Sequence, residues 1–126
     1  MGEFRFTLVE DDEVELFLLC YTISQTFPHS NIASFSHAED ALHHIVDTGS
    51  DILITDHGMG RMKGTELIRE LRQRGINIPI IMVSGSPQAE EEAQLAGATE
   101  FLLKSDDTTR IQERIRSLLS KQAARW

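Results

Sequence analysis

Asp51-Ile52-Leu53-Ile54-Thr55-Asp56 and Ile80-Ile81-Met82-Val83-Ser84-Gly85 decide the fold. Each is a short apolar run without alternation, closed by polar residues. Such runs suit strands covered on both faces, as in a parallel sheet wrapped by helices. Working outward, the chain alternates strand and helix five times. Strands are predicted over Phe4–Val9, Asn31–Phe35, Ile52–Thr55, Ile78–Val83 and Thr99–Leu103. Helices are predicted over Asp12–Thr26, Ala38–Asp47, Gly64–Arg74, Gln88–Ala96 and Asp107–Lys121. Pro28, Gly49, Gly75 and Gly97 follow the helical stretches, where helices stop. Pro79 sits at a strand start, where a missing N–H is tolerated. Thr109 and Asp106-Asp107 offer capping groups for the last helix. The (βα)5 alternation predicts an α/β fold: an open, doubly wound, parallel five-stranded sheet with right-handed crossovers.

Composition sets the outer bounds. The 126 residues suit a single domain over 1–126, with its core from about residue 4 to residue 121 and no effector domain. The pattern holds no linker, repeat or low-complexity segment. A formal charge of −8 argues against direct binding to nucleic-acid phosphates. Cys20 is the one cysteine, so no internal disulfide forms, which fits a cytoplasmic location. No apolar stretch approaches the length of a membrane span, and no signal peptide is expected. Met1-Gly2 invites a myristoylation reading, but Phe6 stands where that pattern wants Ser or Thr.

In doubly wound sheets, function gathers at the carboxyl ends of the strands. Here strand one ends in Glu10-Asp11-Asp12, strand three in Asp56, strand four in Ser84-Gly85 and strand five in Lys104. Crowded carboxylates repel one another, and a divalent cation removes that penalty. Hard oxygen ligands of this kind suit Mg²⁺, which also accepts phosphate oxygens. A carboxylate can attack phosphorus and become an aspartyl phosphate. Phosphoryl transfer then needs positioning and charge neutralisation, which Lys104, the Ser84 hydroxyl and the open space at Gly85 would supply.

The chain resembles the response-regulator receiver domains of two-component signalling. The residues that carry the resemblance are Leu8-Val9-Glu10-Asp11-Asp12, Asp51 to Asp56, Met62-Lys63-Gly64, Ser84-Gly85, Gly97-Ala98 and Phe101-Leu102-Leu103-Lys104. They cover almost the whole chain, in order. The resemblance implies a flavodoxin-like (βα)5 fold and assigns Asp56 as phosphoacceptor. It implies Mg²⁺ held by Asp11, Asp56 and the Gly58 carbonyl, with Glu10 acting more through water. It pairs Ser84 with Phe101 as a switch, the hydroxyl moving to the phosphoryl group and the ring following inward. It implies a signalling face built from the fourth helix, fifth strand and fifth helix, which also serves homodimers. Partners would be a sensor histidine kinase or histidine phosphotransfer protein, and a downstream effector. Such a domain catalyses its own phosphoryl transfer and autodephosphorylation without being a conventional enzyme.

Three positions depart from the family pattern. Gly60 replaces a proline, Lys63 replaces an Asp, and Ser105 replaces the proline that usually follows the lysine in a cis peptide. A cis bond before a non-proline residue costs about 2.5–4 kcal/mol, so Lys104–Ser105 is expected to be trans. Gly58 and Ser86 are small and would shield a phosphoaspartate poorly, implying fairly rapid autodephosphorylation.

Each residue also has a plainer reading. Asp56 alone would cap a helix, and Ser84 would cap the next one. Asp12 and Glu13 suit an acidic first turn. Lys104 alone would be a surface lysine and Phe101 a core residue. His57 reads as a loop residue, while Asp40 with His44 and Glu90-Glu91-Glu92 read as solvated helix faces. Cys20 reads as a small helix hydrophobe. The first helix (Val14, Leu16, Phe17, Leu18, Leu19, Cys20, Tyr21, Ile23) is apolar on more sides than one buried face needs, so it is either deeply buried or docks a partner. The resemblance implies that the histidine-bearing partner docks there, with Leu16 and Tyr21 as test positions.

Three rival functions follow. Gly58 to Gly64 resembles a dinucleotide-binding turn, but it follows the third strand and spaces its glycines wrongly. An aspartyl phosphatase lacks its second Asp, since Gly58 stands there. A receiver-like interaction module that is never phosphorylated keeps the fold and drops the chemistry; Gly60, Lys63 and Ser105 favour it, and the intact acidic set opposes it.

Overall fold

A computed structural model describes residues 4–58 and 60–124. The Met1-Gly2 reading, Met59 of the acceptor loop and the terminal Arg125-Trp126 lie outside the described residues. Five strands alternate with five helices: β1 (Arg5–Val9), α1 (Glu13–Thr26), β2 (Asn31–Phe35), α2 (Ala38–Thr48), β3 (Ile52–Thr55), α3 (Gly64–Gln73), β4 (Ile80–Ser84), α4 (Ala89–Ala96), β5 (Glu100–Leu103) and α5 (Thr108–Ala124). All strand pairs are parallel, in the order β2-β1-β3-β4-β5. This is the predicted α/β flavodoxin-like sheet.

The unbroken apolar runs of β3 and β4 are explained by burial on both sides. Leu53, Ile80 and Met82 face the layer made by α2, α3 and α4, with Leu42, Leu67 and Leu71. Their neighbours Ile52, Ile54 and Ile81 face α1 and α5, with Ile23, Ile115 and Leu119. The period of two along each strand distributes consecutive apolar residues between two cores. Each fully buried Leu or Ile contributes roughly 1.5–3 kcal/mol of transfer free energy.

Several boundaries shift for local reasons. β4 begins at Ile80 rather than Ile78; Pro79 has no N–H, and only its carbonyl is used, accepting from Leu53 N at 3.1 Å. β5 starts at Glu100, after Thr99 has paired with Ile80 through its N–H and its hydroxyl. Asp12 is the N-cap of α1 and accepts from Glu15 N at 3.0 Å. Asp107 plays that part for α5, accepting from Thr109 N at 3.1 Å. α5 runs to Ala124, past the expected Lys121. Arg72 staples the end of α3 to its surroundings, donating to the carbonyls of Gly97, Ile76 and Ile78 at 3.0, 2.9 and 2.8 Å. No described helix is long and apolar enough to cross a membrane.

Strand order reverses between β1 and β3, since β1 leads outward to β2 while β3 leads the other way to β4 and β5. A crevice outside the strand ends forms at such a point.

Candidate functional site

The crevice is lined by what β1 and β3 end in. Asp56 N donates to Val9 O at 3.0 Å, which continues the β1–β3 ladder one residue beyond Thr55. The Asp56 carboxylate therefore emerges beside Glu10 and Asp11. Carboxylate oxygens of Glu10, Asp11 and Asp56 lie within 4.8 Å of one another. Glu10 is buried, Asp56 half-buried and Asp11 exposed.

Lys104 reaches into this cluster from β5. Its N–H donates to Ser84 O at 2.8 Å, which fixes its backbone against β4. Its Nζ lies 3.0 Å from Glu10 Oε1 and 3.4 Å from Asp56 Oδ1. The closest partner is Glu15 Oε2, at 2.6 Å. Every peptide bond among the described residues is trans, Lys104–Ser105 included, as the cost of a non-proline cis bond predicts.

The charges act on one another. Burial pushes the Glu10 carboxyl up to about 7; the Asp12 N–H and the Lys104 ammonium pull against this, and the Asp56 charge adds to it. Burial opposes the charge on Lys104, but the hydrogen bonds to Glu15 and Glu10 and the charge of Asp56 outweigh it and hold the ammonium above its ordinary range. Three carboxylates facing one ammonium leave net negative charge at the site. The hard oxygen donors and their spacing fit a divalent cation such as Mg²⁺.

Two neighbours hold Asp56 in place. His57 N donates to Asp56 Oδ1 at 2.7 Å. Gly64, at the start of α3, packs so tightly that a Cβ there would sit 2.0 Å from the Asp56 carbonyl oxygen. Gly60 adopts φ +31°, far from the value a proline ring imposes, so the loop is shaped for glycine at this place.

Ser84 is buried, and its Oγ accepts from Ser86 N at 3.1 Å. It closes the turn after β4 rather than capping α4, whose N-cap is Gln88. Phe101 is half-buried, packs on the α2–α4 core and lines a groove with Pro87, Glu90, Leu103, Asp106 and Arg110. Gly58 is exposed. A cavity of about 260 Å³ lies beside the cluster between α1 and α5, with Leu18, Leu19, Val83 and Ile111 in its wall and Lys104 and Asp56 at its edge.

The structure adds contacts that the sequence reading missed. His57 is a loop residue, as expected, but its Nε2 lies 3.2 Å from Glu92 Oε1, which also accepts from Thr65 Oγ1 at 3.0 Å. Glu92 is therefore more than a solvated face of α4: it ties that helix to the loop after Asp56 and to α3. Cys20 packs against the α1–α5 core as read, and its thiol is pushed up by burial against a hydrogen bond with Ser34. The His44 ring lies against Phe35 with centroids 5.2 Å apart. Glu15 carried no sequence signal, because its contact lies 89 positions away.

Known proteins match this arrangement. The response regulator receiver domain family matches over residues 6–116. The chain is 32% identical over 88 residues to the two-component response regulator PhoP of Pseudomonas aeruginosa, covering 68% of this chain and 39% of PhoP. It is 33% identical over 118 residues to the transcriptional regulatory protein FixJ of Rhizobium meliloti, covering 91% of this chain and 56% of FixJ. The chain thus spans about two fifths of one of these curated relatives and just over half of the other. The crystal structure of FixJ-N superposes with a TM-score of 0.81 at 30% identity, over 92% of this chain and 93% of that one. A receiver domain protein from Methanospirillum hungatei superposes with a TM-score of 0.88 at 22% identity, over 99% of this chain and all of that one, which shows the shared fold. The chain belongs to the response regulator receiver domain family of two-component signal transduction.

Proposed function

We propose that this domain accepts a phosphoryl group on Asp56 from a phosphohistidine and signals through its α4-β5-α5 face. The observation that carries the proposal is the convergence of the Glu10, Asp11 and Asp56 carboxylates within 4.8 Å, with the Lys104 ammonium 3.4 Å from Asp56. An Asp56 carboxylate oxygen forms the new O–P bond as the donor P–N bond breaks. The electron pair leaves on the imidazole nitrogen, which takes up a proton. Glu10, Asp11, Asp56 and the Gly58 carbonyl would hold Mg²⁺, whose charge, when bound, offsets that of the phosphoryl oxygens. Lys104 neutralises a phosphoryl oxygen from the other side. The Ser84 hydroxyl, which accepts from Ser86 N in this state, turns to donate to a third oxygen, and Phe101 follows inward. Water then attacks the phosphorus and returns Asp56 and inorganic phosphate. The exposed, small Gly58 and Ser86 leave that path open, so the phosphoryl lifetime is short.

The partners that fit are a sensor histidine kinase or histidine phosphotransfer protein, docking on α1, and an effector or second copy on the α4-β5-α5 face, in the cytoplasm. Val14, Phe17, Leu18 and Tyr21 form an exposed apolar stripe on α1, one turn from Lys104's partner Glu15, which supports docking there. The test is incubation with Mg²⁺ and a small phosphodonor. A gain of one phosphoryl mass, lost in Asp56→Asn, is expected. No gain, together with no binding of a phosphoryl mimic, would establish the unphosphorylated interaction module instead.

A further inference from the structure

We propose that Glu15 is a positioning residue that draws the Lys104 ammonium away from Asp56 and so brakes phosphoryl transfer. This rests on the reading of Asp56 as phosphoacceptor. Three carboxylates compete for one ammonium, and Glu15 wins: Nζ lies 2.6 Å from Glu15 Oε2, 3.0 Å from Glu10 and 3.4 Å from Asp56. The Glu15 backbone is anchored, because Asp12 caps α1 through the Glu15 N–H at 3.0 Å. An acid in a first helical turn is favoured by the helix dipole wherever its side chain points. What the dipole does not account for is that this side chain folds across the crevice to the single cation of the site, although nearly half of it remains exposed to water.

The chemistry gives the direction. As the Asp56 O–P bond forms and the donor bond breaks, negative charge builds on the phosphoryl oxygens, and Lys104 must turn toward them. Each increment of that turn stretches the contact with Glu15. Glu15 therefore stabilises the resting site more than the reacting one, and interactions stronger in the ground state slow the step. The effect is modest, since the pair is partly solvated and the arriving phosphoryl group outbids a single carboxylate.

The experiment measures the rate of phosphoryl mass gain with phosphoramidate and Mg²⁺ in the full chain. Glu15→Gln is expected to raise the rate about two- to fivefold, the factor that a half-exposed ion pair supplies. Glu13→Gln removes the same charge from the same helical turn and is expected to leave the rate near that of wild type. In a Lys104→Met background, Glu15→Gln is expected to have no effect. A second readout needs neither metal nor donor: the Lys104 side-chain ammonium resonance of the Mg²⁺-free protein should move in Glu15→Gln and stay put in Glu13→Gln. The inference falls if wild type is phosphorylated but Glu15→Gln matches it, if Glu13→Gln gives the same acceleration, or if the Lys104 resonance does not move. Both the inference and the functional reading fall if wild type and Glu15→Gln alike gain no phosphoryl mass.

Discussion

At the scale of single residues, Gly64 is as tightly specified as any acidic residue of the site. A methyl group there would meet the Asp56 carbonyl oxygen at 2.0 Å and Met82 Cε at 3.1 Å. The first contact is with backbone, so it cannot be relieved by a rotamer change. Gly64→Ala is expected to destabilise the fold by about 1–3 kcal/mol, the usual cost of overpacking, and to lower phosphorylation of Asp56 by moving its loop. Thermal melting checks the first effect and phosphoryl mass gain the second; an alanine variant with unchanged melting would refute the close approach. Sequence patterns exposed Glu10, Asp11, Asp56, Ser84 and Lys104 because each closes an apolar run or lies within two residues of its end. Glu15, Thr65 and Glu92 were hidden because they lie inside helices, where only the tertiary arrangement brings Glu15 to Lys104 and Glu92 to both His57 and Thr65.

Among the elements, α1 is the one whose composition and burial disagree most. Of its apolar residues only Ile23 is fully buried, while Val14, Phe17, Leu18 and Tyr21 are 67, 68, 56 and 58% exposed. Their spacing of three, four and seven places them on one face. The expectation of an over-apolar helix holds, but one of its two test positions does not: Leu16 is half-buried and packs on the α1–α5 core, so its loss would act through stability. Phe17 and Tyr21 are the proper pair. Phe17→Ser with Tyr21→Ser is expected to slow phosphotransfer from a phosphohistidine-bearing partner roughly tenfold or more, the scale of lost aromatic anchors at an interface. Reaction with phosphoramidate should be unchanged. Paired rate measurements decide it, and an equal loss in both would remove α1 from docking. The helix boundaries were legible to within a few residues because Asp12, Asp107 and the glycines mark them. The inward face of α1 was not, because a helix apolar all round has no periodicity to read.

For the molecule as a whole, the crevice concentrates charge that the fold must tolerate without a cation. Burial raises the Glu10 carboxyl from its ordinary 4.5 to about 7 in the metal-free protein. Between those two values the folded state therefore holds a proton on Glu10 that the unfolded chain has released. The stability this contributes is complete below about pH 4.5 and is lost as pH rises through about 7, an effect on the order of 2–3 kcal/mol. Metal-free protein is thus expected to melt at lower temperature at pH 8 than at pH 6, and Mg²⁺ should restore more stability at the higher pH by binding the folded state alone. Melting curves at the two pH values, with and without Mg²⁺, check the sign; a Glu10→Gln variant should flatten the metal-free dependence. The sheet and its two cores were legible in the sequence because the apolar runs of β3 and β4 admit no other covering. How the layers are tied together was not, since Arg72 reads as one more surface arginine until its guanidinium is seen on three carbonyls. That tie has a mechanical consequence. Arg72 grips the Gly97 carbonyl just past α4, whereas the opposite end of the helix follows the turn Ser86-Pro87-Gln88, which supplies no side-chain cap, and Glu92 ties the helix to α3 and to His57. Under the switch proposed for Ser84, α4 would therefore swing about its Gly97 end, and its start after Ser86-Pro87-Gln88 would move furthest.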